Sequence, residues 1–269
     1  MIWPFRRKSK KRMARIVIDE PITSATRISV LKSLKQIEDR EFPALILRID
    51  SPGGTVGDSQ EIYSAIQRLK AKGCKVVASF GNISASGGVY IGVAADRIVA
   101  NPGTITGSIG VIIRGNNISE LLEKIVIKFE TVKSGLFKDI LSPDKPLSNE
   151  GRELLQGLID ESYDQFGQAV AKGRNISVED VKKFADGRIF TGSQGKELGL
   201  IDEIGDEIVA RELAADMAKI DKKIDPLTFG KKKKKILGLI PGSSIAESFF
   251  NKVCFEIESS NKLLWLYKP

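Results

Sequence analysis

Ala44-Leu-Ile-Leu-Arg-Ile-Asp50, followed at once by Ser51-Pro-Gly-Gly54, is the stretch on which the fold turns. Its near-continuous apolar run has the length of a strand buried on both faces, and the Ser-Pro-Gly-Gly break ends it in a sharp turn. Buried strands of this kind belong to parallel sheets covered by helices. The flanks agree. Residues 14 to 19 read as a strand, and Ile28, Leu31, Leu34 and Ile37 recur at helical spacing after it. Beyond the turn, Ile62, Ile66 and Leu69 mark a second helix that stops at Gly73. Residues 75 to 80 form the next strand, which runs into a loop from Gly81 to Gly88. Short strands follow at 97 to 100 and 109 to 113. Further on, the pattern predicts a short helix at 117 to 124 and a strand at 126 to 132. A long amphipathic helix carries Leu154, Leu155, Leu158, Ile159, Phe166 and Val170, and Ser177 with Asp180 caps another. This alternation specifies an α/β fold.

The 269 residues are 42% apolar and 28% charged, enough to bury a core, and they contain no histidine. That absence excludes Ser-His-Asp and Cys-His sites within the chain, together with His-ligated zinc or haem. Proton transfers must fall to Lys, Asp, Glu, Tyr or Cys. Cys74 and Cys254 stand alone, so neither a disulfide framework nor a thiolate metal site is expected. The net charge of +8 is confined to the flanks: residues 1 to 12 carry +6, the lysines at 231 to 235 carry +5, and the remainder is mildly acidic. Such runs are ordinarily solvated tails. In functional terms they suit an anionic membrane surface, with Trp3 and Phe5 at the lipid interface, and no nucleic-acid partner is expected. Lys and Arg interrupt every apolar run, so neither a cleavable signal nor a transmembrane helix is read. The expected organisation is a basic segment at 1–13, a catalytic domain at 14–220, and a lysine-rich linker with an aromatic extension at 221–269. Phe249, Phe250, Phe255 and residues 263 to 267 make that extension too apolar for a disordered tail, and it should dock on the body, a neighbour or a membrane.

Chemistry concentrates in two glycine turns at strand ends, where α/β folds place their sites. Gly53 and Gly54 bring bare backbone N–H groups close to a ligand. Ser86, with Gly87 and Gly88 after it, would present a hydroxyl at a strand-to-helix turn, with the Gly87 N–H directed at the atom the hydroxyl attacks. Glycine-rich nucleotide loops are a poor match, because G-x-G spacing and GKS or GKT are both absent. A serine without histidine needs another base. Lysine can serve if desolvation lowers its pKa from about 10.4 towards 7 or 8. Lys138, among Phe137, Ile140 and Leu141, has an apolar surround of that kind, provided that Asp139 points away; Lys133 is the alternative.

Four motifs, Arg48-Ile-Asp-Ser-Pro-Gly-Gly54, Ala85-Ser-Gly-Gly-Val-Tyr-Ile91, Ala100-Asn-Pro-Gly-Thr-Ile-Thr-Gly-Ser-Ile-Gly-Val111 and Lys133-Ser-Gly-Leu-Phe-Lys-Asp-Ile140, resemble in order and spacing the signal peptide peptidase A (protease IV-like) group of S49 serine peptidases. Asp186-Gly-Arg-Ile-Phe-Thr-Gly192 and Leu198-Gly-Leu-Ile-Asp202 extend the likeness over residues 14 to 215, and the wording is nearest the short cyanobacterial-type members. The resemblance implies a ClpP/crotonase-like fold of repeated ββα units. It also implies a Ser86–Lys138 dyad, Ser108 as the hydroxyl that orients the lysine, and an oxyanion hole from Gly87 and Gly54, with Gly53 less favoured. Cofactors and metals are not implied. Family members of this size form rings whose neighbouring subunits complete each site. The resemblance points to an endopeptidase acting on membrane-derived peptides such as remnant signal peptides. A crotonase-type acyl-CoA enzyme and a non-proteolytic membrane-surface scaffold are the alternatives. The family's usual transmembrane segment is replaced here by a basic aromatic stretch, so the expected placement is peripheral at the membrane or cytoplasmic.

Overall fold

The computed structural model describes residues 11–230 and 262–267. The first half of the chain lays down a parallel sheet. Strand β1 (Met13–Ile18) leads through helix α1 (Ser24–Asp39) to β2 (Ala44–Ser51), which runs parallel to β1 in unbroken register from Met13↔Ala44 to Ile18↔Ile49. A short strand, β3 (Gly53–Thr55), turns into helix α2 (Val56–Ala71), so that β2, β3 and α2 form one ββα unit. Strand β4 (Lys75–Ala85) follows and ends in the short helix α3 (Gly87–Gly92). The remaining elements are β5 (Arg97–Ala100), β6 (Ile105–Gly107), α4 (Ser119–Lys124), α5 (Asn149–Arg174), α6 (Val178–Lys182), β7 (Ile189–Phe190), α7 (Gly192–Glu197), β8 (Glu203–Ile204), α8 (Glu207–Ala218), β9 (Leu227–Phe229) and β10 (Leu264–Leu266). The main sheet runs β7-β6-β4-β2-β1-β9, with β5 pairing β4 and β8, while β10 pairs with β3 in a separate two-stranded sheet.

The apolar run of β2 is buried on both faces. Leu45, Leu47 and Ile49 meet Leu34 and Ile37 of α1 and Ile62 and Ile66 of α2 in the larger core. Ala44 and Ile46 face the other way, towards Ala210, Ala214 and Ala215 of α8. Period-two alternation in a strand buried on both sides gives this division. The helix ends follow local chemistry as well. Thr23 caps α1, Ser177 accepts the Asp180 N–H at 3.0 Å, and Gly73 takes the φ of 94° that the chain needs after α2.

Three sequence expectations change. The segment expected to loop from Gly81 continues β4 to Ala85, because the Asp50 carboxylate accepts the Ile83 N–H at 3.1 Å and extends the pairing past the bulge between Ile49 and Ser51. A Cβ at 81 would lie 2.5 Å from the Asp50 carboxylate carbon, so a larger residue there would displace this carboxylate. The strand expected at 109–113 is instead β6 at 105–107, paired with the far end of β4, and only an isolated bridge, Ile112↔Leu264, lies in the expected range. Residues 126–132 form no strand; their apolar side chains are exposed, Val126 and Val132 among them, and no neighbouring edge pairs with them. Beyond the boundary expected at 220, β9 pairs with β1 and β10 with β3, so the sheets take in residues from the expected extension. The basic runs at 1–10 and 231–235, the aromatic residues Trp3, Phe5, Phe249, Phe250 and Phe255, and Cys254 lie outside the described residues.

Helix α8 is tied to the sheet by charge. Arg15 of β1 donates from Nε and, at 2.9 Å, from Nη2 to Glu207, and Arg48 of β2 approaches the same carboxylate at 3.8 Å. Hydrogen bonding from Arg15 holds the Glu207 carboxyl below its usual value, against the opposing effect of burial. A depressed carboxylate pKa adds stability that is present above the unfolded value and lost as pH falls through the folded one. Glu207→Gln is therefore expected to cost about 1 kcal/mol near pH 7, or about 2–4 °C in melting temperature. Thermal unfolding should show the gap closing as pH drops below about 4.

Candidate active site

The ends of β2, β3 and β4 converge on one spot. Ser86 is the residue between β4 and α3, and it adopts φ 53°, ψ −116°, a region that residues with a Cβ rarely enter. Two main-chain bonds over-determine this conformation: the Ser86 N–H donates to the Gly107 carbonyl at 2.8 Å, and its own carbonyl accepts the Tyr90 N–H at 3.0 Å. Ser86 is 1% exposed, and among the described residues no hydrogen bond occupies its hydroxyl.

The glycines gather around it. A Cβ built on Gly87 would lie 3.2 Å from the Gly54 nitrogen, and one on Gly53 would lie 2.7 Å from the Gly87 nitrogen. The Gly53 N–H is already engaged, donating to Ser51 Oγ at 3.2 Å, while Ser51 Oγ in turn donates to the Glu20 carbonyl at 2.8 Å. Ser108 is brought beside Ser86 because the β4–β6 register pairs Ala85 with Gly107, leaving 86 and 108 as the next residues on adjacent strand ends. Ser108 also has a left-handed φ of 52°, held by its N–H donating to the Arg188 carbonyl at 2.7 Å. The structure thus brings together Ser86, Gly87, Gly53, Gly54 and Ser108.

Among the described residues no hydrogen bond or ion pair joins Lys138 to Ser86 or Ser108. The lysine lies in the long connection between β6 and α5, is exposed, and donates its backbone N–H to the Gly135 carbonyl at 3.2 Å. The desolvation expected from Phe137, Ile140 and Leu141 does not occur here, because Phe137 is itself exposed and the other two are only half-buried. Among the described residues no hydrogen bond or ion pair joins the Lys138 ammonium to another group. Asp139 does turn to other partners: Lys133 bonds it at 2.7 Å and Lys145 at 2.5 Å, and the Lys133 hydrogen bond leads in holding its carboxyl down at about 2. Lys133 is committed to that carboxylate.

Two other proton carriers of the core, Tyr90 and Cys74, are held in their protonated forms. Burial, the leading cause for both, pushes the Tyr90 phenol and the Cys74 thiol up to about 12. The described residues hold no cluster of acidic or cysteine side chains suited to a metal ion.

Comparison with known proteins fits this geometry. The model of peptidase family S49 matches residues 68–221, the span that includes Ser86, Ser108 and Lys138. A protein of Synechocystis sp., "Putative protease slr0021", is 52% identical over the whole of both chains. The chain belongs to peptidase family S49. It is accordingly a serine-type peptidase. "Putative signal peptide peptidase SppA" of Enterococcus faecium is 41% identical over 81% of this chain and 63% of its own length. "Protease 4" of Salmonella typhi is 37% identical over 68% of this chain, which spans only 29% of that larger protein. A Clp protease model matches residues 7–103. A ClpP1 mutant from Listeria monocytogenes shares the fold, with a TM-score of 0.50 and 19% identity over 71% of this chain and 91% of its own. The sheet with its ββα units is thus the ClpP-like fold of this S49 peptidase.

Sequence reasoning missed three of the residues that shape the site. Tyr90, Phe166 and Trp265 of β10 pack ring against ring in the core beside the glycines. Tyr90 falls inside a quoted motif and Phe166 on a recognised helix face, so each carried a packing signal. Nothing in the spacing assigned Trp265 to this place.

Proposed function

We propose that the chain is an endopeptidase in which Ser86 is the nucleophile and Lys138, supplied by a neighbouring copy of the chain, is the general base. Ser86 Oγ attacks the scissile carbonyl carbon while the lysine amine takes the hydroxyl proton. The carbonyl oxygen gains the negative charge and is held by the N–H groups of Gly87 and Gly54. The C–N bond then breaks as the leaving amine takes the proton from the lysine; the neutral lysine next takes a proton from water, whose oxygen attacks the acyl carbon, and passes that proton to Ser86 Oγ as the acid is released. Ser108 orients the lysine.

The observation that carries this reading is the strained φ of Ser86 beside the Gly87 and Gly54 amides, with its hydroxyl unengaged. Gly54 is preferred to Gly53 because the Gly53 N–H is bonded within its own turn to Ser51, whereas the Gly54 N–H lies on the strand edge that pairs with β10, beside Gly87. Lys138 is preferred to Lys133 because Asp139 holds Lys133. The neighbouring copy is supported by the connection that carries Lys138, where Leu121, Ile125, Val126, Phe129, Val132 and Leu136 are all exposed, a density that monomers rarely tolerate. Burial of that surface in a ring would also supply the desolvation a basic lysine needs.

The substrates are apolar membrane-derived peptides such as remnant signal peptides, in keeping with the name of the Enterococcus relative. No helix of the described residues is long and apolar enough to cross a membrane. Contact with the bilayer falls to the basic segments at 1–12 and 231–235, drawn peripherally to anionic lipid. Labelling with a serine-reactive phosphonate, followed by peptide mapping in a mass spectrometer, tests the assignment. The label is expected on Ser86, and stoichiometric labelling of another serine would overturn it.

A further inference from the structure

A cavity of about 410 Å³ opens beside the connection that carries Lys138. Its walls are the segment 112–117, residues 140–147 of the connection, and the first three turns of α5. These walls are fastened to one another. The Ile118 N–H donates to the Pro143 carbonyl at 2.8 Å, and Gly115 packs so closely on Leu141 that a Cβ built on the glycine would lie 3.1 Å from the leucine methyl. Gly151 of α5 stands in the same relation to Ile140 and Leu147, at 3.1 Å from each.

The lining combines two kinds of chemistry. Ile113, Ile140, Leu141, Leu147, Leu155 and Ile159 make it apolar, with Leu155 buried and the other five half-buried. Arg114, Lys145 and Arg152 make it cationic, and no carboxylate is among the lining residues. Lys145 is bonded to Asp139, whereas the exposed guanidiniums of Arg114 and Arg152 make no hydrogen bond or ion pair among the described residues. Guanidinium forks take a planar carboxylate in two parallel hydrogen bonds, and an apolar wall takes the carbon skeleton attached to it. The ligand that matches both is an apolar chain ending in a carboxylate.

The cavity also borders the proposed catalytic groups. Ile140 and Leu141 are two and three residues from Lys138, which keeps this wall within about 11 Å of that residue along the chain. At the other end, Ile112 bonds Leu264 through both its N–H and its carbonyl, and Leu264 pairs in turn with Thr55, the neighbour of Gly54. Two strand spacings, about 10 Å, therefore separate Ile112 from the turn of the oxyanion glycines. An extended peptide covers such distances with about three or four residues.

We infer that this cavity holds the free C-terminal carboxylate of an apolar peptide substrate, with Arg114 and Arg152 as its cationic pair. The inference rests on the reading of Ser86 and Lys138 given above, and it adds a rule of selection. An apolar stretch within an unbroken protein continues into a neutral amide and gives the two guanidiniums nothing to bind. A fragment already cut from its parent ends in the carboxylate they recognise.

The test uses the full chain and quenched-fluorescent apolar peptides with about three to six residues after the scissile bond, each made once with a free C-terminal carboxylate and once as the C-terminal amide. The acid peptides are expected to show kcat/KM at least about tenfold above their amides, a preference that shrinks in about 1 M salt. Arg114→Gln combined with Arg152→Gln should bring the acid peptide down to its amide through KM rather than kcat. Circular dichroism confirms the fold of this variant; the acid–amide comparison on the unaltered chain stands without it. Equal cleavage of acid and amide, with Ser86 still labelled by the phosphonate, overturns the carboxylate site and leaves the peptidase reading intact. So does inhibition by dodecanoate alongside equal cleavage, the cavity then being a fatty-acid site. An acid preference that survives in the folded double variant overturns the assignment to this cavity. Absence of both hydrolysis and Ser86 labelling overturns the inference together with the reading beneath it.

Discussion

Ser86→Ala is expected to lower peptide hydrolysis by at least about 10³-fold while leaving the fold and the melting temperature nearly unchanged. The two halves of this expectation have separate causes. Loss of the hydroxyl removes the nucleophile, and no neighbouring serine takes over: Ser84 is fully buried with its hydroxyl against Gly88, and Ser108 is anchored at a different strand end. The fold is spared because alanine and serine meet the same steric cost at a φ of 53° and the Ser86 hydroxyl makes no hydrogen bond that would be lost. Ser86→Gly sharpens the contrast. Glycine enters that region freely, so this variant should be as inactive as the alanine form yet more stable, by about 1 kcal/mol. A stability cost carried at one residue and relieved by an inactivating substitution is the mark of a conformation kept for chemistry. Steady-state hydrolysis and thermal unfolding of the three proteins, measured together, check it.

Lys138→Ala should bring a loss of similar size with almost no change in stability, since the side chain is exposed and joins no ion pair among the described residues. Lys133→Ala should behave differently. It frees Asp139 from one of its two lysine partners and loosens the connection, so a reduction of less than about tenfold is expected, of the size usual for a lost surface ion pair. The decisive measurement mixes subunits. If the lysine comes from a neighbouring copy, inactive Ser86→Ala and inactive Lys138→Ala proteins, dissociated and reassembled together, regain activity, because some interfaces then pair an intact serine with an intact lysine. Reassembly with no recovery would show that both groups must come from the same chain.

Much of this site could be read from residue order because its parts are local. The apolar run 44–50, the Ser-Pro-Gly-Gly turn and the Ser86-Gly-Gly turn each declare themselves within a few residues, since strand burial and left-handed turn geometry depend on the chain's immediate neighbours. The absence of histidine narrowed the base in the same way, and the buried tyrosine and cysteine held near 12 narrow it further. Where the reading went astray, a partner distant in sequence was responsible. Residues 81–85 are strand because Asp50 reaches them, and the run 126–132, apolar enough for a strand, has no edge to pair with.

The sequence by itself determined the α/β class, the nucleophile turn and the confinement of positive charge to two flanking runs, all of them properties of short windows or of composition. Tertiary structure alone decided that Lys138 is exposed in spite of its apolar sequence neighbours, because desolvation depends on what surrounds a side chain in space. It alone also decided that Trp265 lies against Gly54. That contact is made by backbone hydrogen bonds, which every residue but proline can form at both its N–H and its carbonyl, so residue order carries no address for the strand edge that a distant segment will choose.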